Sequence, residues 1–127
     1  MAIELNHTIV YSRDKRESAE FLASLFGLPS PTAWGPFLAV GVSNAVTLDF
    51  LDTTDEIASQ HYCFLVGEDE FDAIFGRIRS GGHAYWADPG HTEPGVINTH
   101  DGGRGLYFDD PSGHNLEIIT RPYGDER

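Results

Sequence analysis

Three side chains far apart in the sequence have the types and the local context for binding one divalent metal ion. His7 and His61 each lie in a short apolar run, and Glu117 stands between Leu116 and Ile118. Because side chains on a strand alternate between its two faces, Glu117 is predicted to point away from the face of its apolar neighbours. Two imidazoles and one carboxylate can form a facial triad, which leaves metal positions open for water, substrate or oxygen.

A repeated pattern explains how such distant residues can meet. Module one covers about residues 3–52 and module two about residues 60–120, and an amide residue precedes the histidine in both, as Asn6-His7 and Gln60-His61. The last strands also align, with Asp49 in the place of Glu117. Neither module is expected to bury its sheet alone, so the two are predicted to pair.

An insertion in module two accounts for the different offsets within the repeat. His61 follows His7 by 54 residues, whereas Glu117 follows Asp49 by 68 residues. The extra 14 residues fit the Gly-, Pro-, His- and Asp-rich segment Ala84–Gly103, which is predicted to be a loop.

The elements of module one follow from its capping residues and its apolar spacing. Asp14 and Glu17 have the spacing of a capping box at a helix start, and Gly27 stands where a left-handed C-cap is expected. Between them, Phe21, Leu22, Leu25 and Phe26 recur at helical spacing. The strands predicted in this module are Ile3–Val10, Phe37–Val42 and Ala45–Leu51.

Module two shows the same order of elements. A strand over Gln60–Val66 precedes a helix from about Asp69, which is predicted to end at Gly81-Gly82. Two strands close the module, Arg104–Phe108 and His114–Ile119. Each module is thus predicted to contain a strand, a helix and then two or three strands.

Composition limits the classes of function. A length of 127 residues predicts one domain, and the formal charge of −12 disfavours a nucleic-acid partner. No apolar stretch approaches the length of a membrane helix, and the N-terminus lacks signal-peptide features, so a cytoplasmic location is expected. The single cysteine, Cys63, lies in an apolar run and is interpreted as a small buried hydrophobe.

The closing motif is similar to that of a known superfamily. The string from Leu106 to Glu117 combines an aromatic strand, an Asp-Pro turn with Gly, and a strand with a glutamate, and Leu5–Val10 is similar to the family's first strand. Over roughly Glu4 to Thr120 the chain resembles the vicinal oxygen chelate superfamily of glyoxalase I, extradiol dioxygenases, fosfomycin-resistance transferases and bleomycin-binding proteins. The resemblance implies an α+β fold of paired βαβββ modules, forming a curved, cupped mixed sheet with helices outside.

The resemblance also implies a site. It places one divalent ion (Fe, Zn, Ni or Mn) on His7, His61 and Glu117, and implies a homodimer whose modules pair within or between chains. Asp49 is a fourth ligand, a substrate contact or a solvent-facing residue. The predicted catalytic residues are Glu117, His100 and Tyr107. The predicted substrate-binding residues are Asp49, Trp86, Asn98 and Arg104.

Two functions follow from these expectations. The first is a metal-dependent enzyme, a lyase or ring-cleaving dioxygenase, that acts on a small molecule with two neighbouring oxygens. The alternative is a protein like those for bleomycin resistance, which sequesters a cationic aromatic compound without catalysis. The complete set of His7, His61 and Glu117 favours the enzyme, because sequestration does not need these ligands.

Overall fold

The computed structural model describes residues 2–124 and divides the chain into two units at the boundary between Ala58 and Ser59. Module one lies in the first unit and module two in the second. The expectation of a single domain stays a prediction.

Unit 1 is a four-stranded mixed sheet with one helix. Its elements are β1 (His7–Ser12), α1 (Lys15–Phe26), β2 (Thr32–Trp34), β3 (Phe37–Gly41) and β4 (Thr47–Asp52). The strand order is β1-β4-β3-β2, with β1 parallel to β4 and the other pairs antiparallel. Helix α1 packs on this sheet through Ala19, Leu22 and Leu25, which are buried.

The caps predicted for α1 are confirmed. The Asp14 side chain accepts hydrogen bonds from the backbone N–H groups of Arg16 and Glu17, which have no partner within the helix. Gly27 ends the helix in the left-handed conformation, with φ 67°. Because glycine has no Cβ, it takes this conformation without steric cost.

Unit 2 has three strands and a second helix. Its elements are β5 (His61–Leu65), α2 (Glu68–Ser80), β6 (Gly105–Asp109) and β7 (Asn115–Ile119), in the strand order β5-β7-β6. The fully or nearly fully buried core consists of Phe71, Ile74, Ile78, Leu106, Phe108, Leu116 and Ile118. The fold class is confirmed: both units are mixed sheets with a helix between the first strand and the later ones.

Two strands differ markedly from the prediction, whereas the bounds of the other strands differ by at most two residues. Strand β1 begins at His7 rather than Ile3, because backbone pairing with β4 starts only where the Asn6 carbonyl accepts from Thr47. The short strand β2 was not predicted, since Thr32–Trp34 follows prolines that are typical of a turn. Its three residues are exposed, so no apolar alternation marked them.

Strand pairing has the same register in both units. His7 pairs with Thr47 and Ile9 with Asp49 in unit 1. In unit 2, His61 pairs with Asn115 and Cys63 with Glu117. Each acidic residue therefore lies two positions beyond the partner of its histidine, as the sequence repeat predicts.

Candidate metal centre

Glu117 lies in the middle of β7, which is the central strand of its sheet and pairs with both β5 and β6. The residue is fully buried, with 0% of its surface exposed. Burying a carboxylate is costly unless hydrogen bonds or a cation compensate for the lost water. The groups around this carboxylate therefore determine what the site can bind.

His61 supplies the first of these groups from the neighbouring strand β5. Its Nδ1 lies 2.8 Å from the backbone carbonyl of Asn115, and its Nε2 lies 3.1 Å from Oε1 of Glu117. Because a carbonyl can only accept, Nδ1 must hold the proton. In the neutral ring, Nε2 then presents its lone pair to a carboxylate oxygen. Either a proton on Nε2, which makes the contact an ion pair, or a metal cation between the two atoms removes this repulsion.

This tautomer is the one that a metal-binding histidine needs. Histidine ligands usually donate their other ring N–H to a carbonyl or carboxylate, which fixes the ring and leaves the second nitrogen free for the metal. The Asn115 carbonyl has that role for His61. The pair of His61 Nε2 and Glu117 Oε1 therefore fits as two ligands of one divalent ion.

Two tyrosines form a hydrogen-bonded chain that ends on the second oxygen of Glu117. Tyr123 donates its hydroxyl proton to Oε2 of Glu117, and the Tyr107 hydroxyl lies 2.9 Å from the Tyr123 hydroxyl. Since Tyr123 already donates its proton to Glu117, Tyr107 must be the donor in the hydrogen bond between the two tyrosines. Burial, and then the Glu117 carboxylate, raises the pKa of both phenols, so both stay protonated at neutral pH.

Cys63 is the cross-strand partner of Glu117 and hydrogen-bonds to it. The interpretation of this residue as a buried hydrophobe is wrong, because Cys63 is exposed and lies on the Glu117 face of the sheet. Desolvation of the sulfur, and then the adjacent carboxylate, raises the pKa of Cys63 to about 12. The thiol is therefore protonated at neutral pH.

The corresponding positions of unit 1 hold His7 and Asp49. His7 Nδ1 lies 2.7 Å from Oδ1 of Asn6, so Nδ1 is again the donor and Nε2 is left free. Asp49 is 8% exposed and pairs with Ile9 and Ala39 on the flanking strands. The roles of His7 as a ligand and of Asp49 as a ligand or substrate contact stay predictions.

The segment Ala84–Gly103 folds back on the edge of the second sheet. Trp86 forms a two-hydrogen-bond bridge with the backbone of Tyr107, with N···O distances of 2.9 and 2.8 Å. Its indole stacks on the imidazole of His91 with a centroid distance of 3.7 Å. The bridge occupies the place that β2 occupies beside β3 in unit 1, and it brings Trp86 next to Tyr107.

The other predicted site residues of this segment have local contacts. The Asn98 side chain donates to the Ala87 carbonyl at 2.8 Å and accepts from the backbone of His100 at 3.3 Å. His100 opens the exposed turn His100–Gly102. These contacts order the loop, and the substrate-binding role of Asn98 and the catalytic role of His100 stay predictions.

Arg104 is engaged with helix α2. Its guanidinium forms ion pairs of 2.8 Å with Glu68 and with Asp72, and it stacks over the Phe71 ring at 4.4 Å. Hydrogen bonds to Asp72, and then to Glu68, raise the pKa of Arg104. These contacts connect β6 to α2, and the predicted contact of Arg104 with a substrate stays a prediction.

Two absences hold for residues 2–124. No group of three or more His, Cys, Asp or Glu side chains in this range is arranged to hold a metal ion. Within this range, His61 and Glu117 are a pair of candidate ligands that lie close together. No helix in the same range is both long enough and apolar enough to cross a membrane.

The chain is similar in sequence and in fold to proteins that are already known. The chain is 59% identical to the solved structure of oxidase ChaP-H1, with a TM-score of 0.96 and coverage of 98% of this chain and 100% of that one. It is 58% identical to oxidase ChaP-H2, with a TM-score of 0.97 and full coverage of both chains. It is also 28% identical to the glutathione transferase FosA of Serratia marcescens, over 93% of this chain and 81% of that protein.

The family model of the Glyoxalase/Bleomycin resistance protein/Dioxygenase superfamily matches residues 4–118. This range includes His7, His61 and Glu117, and it agrees with the resemblance found in the sequence motifs. The chain belongs to the Glyoxalase/Bleomycin resistance protein/Dioxygenase superfamily.

Proposed function

We propose that this protein is a metal-dependent oxidase that acts on a small molecule with two neighbouring oxygen atoms. The observation that carries the metal site is the pair of His61 Nε2 and Glu117 Oε1, which lie 3.1 Å apart, the first on a half-exposed imidazole and the second on a fully buried carboxylate. The choice of an oxidase over a lyase or transferase rests on the identity of 59% and 58% to two oxidases along the whole chain, against 28% to a glutathione transferase.

The proposed ligand set is His7, His61 and Glu117. His7 has the tautomer that His61 has, with Nδ1 held by Asn6 and Nε2 free. It is supplied either by unit 1 of the same chain or by unit 1 of a second copy in the proposed homodimer. When bound, the metal acts as a Lewis acid that holds both substrate oxygens and stabilises negative charge on them.

The residues around the ion orient and protonate the substrate. Tyr107 is proposed as the catalytic proton donor, because its hydroxyl stands one hydrogen bond from Tyr123, which in turn donates to the Glu117 carboxylate. His100 is proposed as a second proton carrier. Asp49, Trp86, Asn98 and Arg104 are proposed to shape the substrate pocket, with Trp86 placed beside Tyr107 by its backbone bridge.

Metal analysis tests the proposal. Protein purified without chelators is expected to hold about one Fe, Zn, Ni or Mn ion per chain, and the His61→Ala variant is expected to lose it. The Fe(II)-loaded protein is then titrated with 4-nitrocatechol, whose visible absorption shifts when both of its oxygens bind a metal. We expect this shift with wild type and no shift with His61→Ala.

Three results would overturn the proposal. Wild-type protein that takes up no metal but binds a cationic aromatic compound would be a sequestering protein. Metal-loaded protein that never shifts the nitrocatechol spectrum would have no pair of open positions. A metal-loaded protein that isomerises or adds thiols to its substrate without consuming oxygen would be a lyase or transferase instead of an oxidase.

A further inference from the structure

We propose that Tyr123 is a positioning residue of the metal centre, which occupies Oε2 of Glu117 and leaves only Oε1 for the ion. The inference rests on the proposed function, and it assigns a role to a residue outside the sequence motifs. Tyr123 follows β7 by four residues and lies beyond residues 4–118, which the family model matches.

Tyr123 is largely exposed to solvent, but its hydroxyl contacts a buried group. The residue is 57% exposed, so burial of its ring contributes little to its placement. Its hydroxyl nevertheless reaches a carboxylate with 0% exposure. The backbone N–H of the next residue, Gly124, donates to Asp101 at 3.3 Å. The polar contacts, rather than apolar packing, thus hold Tyr123 over Glu117.

The direction of the hydrogen bonds decides which oxygen is left free. A carboxylate only accepts, so Tyr123 donates to Oε2 of Glu117, and Tyr107 donates to Tyr123. Hydrogen bonds in such a chain polarise and strengthen one another. Oε1 is the oxygen that faces His61 Nε2 at 3.1 Å. The two carboxylate oxygens therefore have separate partners.

The consequence is a restriction on how Glu117 binds a metal. With Oε2 held by a phenol, Glu117 binds through one oxygen, and the position that a second oxygen would take stays open for substrate. Hydrogen-bond partners of ligands typically change metal affinity by about 10–100-fold when they are removed. Removal of the Tyr123 hydroxyl should thus weaken binding and also let both oxygens reach the ion.

The experiment compares wild type with Tyr123→Phe by titration of the metal-free protein with Co(II) alone. We expect the variant to keep one site per chain with about 10–100-fold higher Kd. The visible absorption of bound Co(II) falls as its coordination number rises. A second carboxylate oxygen on the ion is therefore expected to lower the absorptivity of Tyr123→Phe, a change that loss of stability alone does not produce.

Tyr85→Phe is the matched control. Tyr85 also lies in unit 2, and its hydroxyl donates to the Gly95 carbonyl at 3.3 Å without touching Glu117. Its removal deletes a hydroxyl of the same kind and should leave both Kd and spectrum unchanged. Tyr107→Phe is expected to have a smaller effect than Tyr123→Phe, because Tyr123 still donates to Glu117 in that variant.

The outcomes separate this inference from the proposed function. Wild type that binds no Co(II) at one ion per chain overturns the metal site itself. Wild type that binds Co(II), together with a Tyr123→Phe variant of unchanged Kd and absorptivity, overturns only the positioning role. If Tyr123→Phe proves unstable, a Co(II) site with a moderately higher Kd in Tyr107→Phe supports the hydrogen-bonded chain from Tyr107 to Glu117, and an unchanged Kd there contradicts it.

Discussion

The central strands of the two units, β4 and β7, have the same backbone surroundings but different chemistry. Both pair in parallel with the strand of a histidine and antiparallel with a third strand, in the same register. The residues flanking the acid differ: Asp49 pairs with Ile9 and Ala39, and Glu117 pairs with Cys63 and Tyr107. Only the second acid thus has hydrogen-bonding side chains opposite it, so the shared fold by itself does not make a site.

The two histidines are also held differently. His7 bonds to the side chain of its own neighbour, Asn6, whereas His61 bonds to a backbone carbonyl of the adjacent strand. The backbone partner ties the His61 ring to β7, the strand that holds Glu117. The longer side chain of Glu117 reaches His61, whose own pairing partner, Asn115, lies two positions earlier on β7. Unit 2 is therefore the better organised half of the proposed site.

The largest predicted difference between the units concerns the two acids. Glu117→Gln should abolish stoichiometric metal binding, because a neutral amide cannot balance the ion's charge. Asp49→Asn should leave about one ion per chain if the site has three ligands. Elemental analysis of both variants after metal loading measures this contrast. Equal loss in the two variants would make Asp49 a fourth ligand and remove the asymmetry.

A mixed dimer of two variants, each lacking one proposed metal ligand, tests whether the two units of a site come from one chain or from two. His7→Ala and Glu117→Gln are co-expressed with different tags, and the mixed dimer is isolated. If ligands come from two copies, one complete site forms in the mixed dimer, and half of the wild-type metal content returns. If all three ligands come from one chain, both sites stay broken and no metal returns.

A smaller effect is expected on the reactivity of Cys63. Ile9 has the equivalent position in unit 1. Because its pKa is raised to about 12, Cys63 should react slowly with iodoacetamide in metal-free protein at pH 8–9. Glu117→Gln removes the charge contribution but not the desolvation, so the pKa falls and alkylation accelerates, by up to about tenfold for each pKa unit. Asp49→Asn is the control. An unchanged rate in Glu117→Gln would contradict the Cys63–Glu117 contact.

The smallest contrast lies at the starts of the two helices. Helix α1 has a side-chain cap from Asp14, whereas α2 begins at Gly67 without one. Asp14→Ala should lower the free energy of unfolding by about 1 kcal/mol. Gly67→Ser should raise it by only a few tenths of a kcal/mol, because Glu70, whose flexible side chain lies near the new Cβ, must move. Urea unfolding curves measure both. A gain at Gly67 as large as the loss at Asp14 would contradict this ranking.

Much of the fold could be predicted from local patterns. The Asp14 and Gly27 caps, the end of α2 at Gly81 and the alignment of Asp49 with Glu117 depend on spacing along the chain, and the structure reproduces each of them. Strand β2 was not predicted, because its three residues are exposed, follow prolines and show no apolar alternation. The repeat aligns His7 with His61 and Asp49 with Glu117, and the structure gives both pairs the same strand register.

The sequence by itself determined the superfamily, the two repeated units and the residues that could serve as ligands, since these follow from motifs and periodicity. Only the tertiary structure revealed the surroundings of Glu117. The proton on His61 Nδ1 follows from a carbonyl of another strand, and the partner of Oε2 is Tyr123, six residues beyond the acid in no recognisable motif. Hydrogen-bond direction depends on where acceptors lie in space, and spacing along the chain does not encode it.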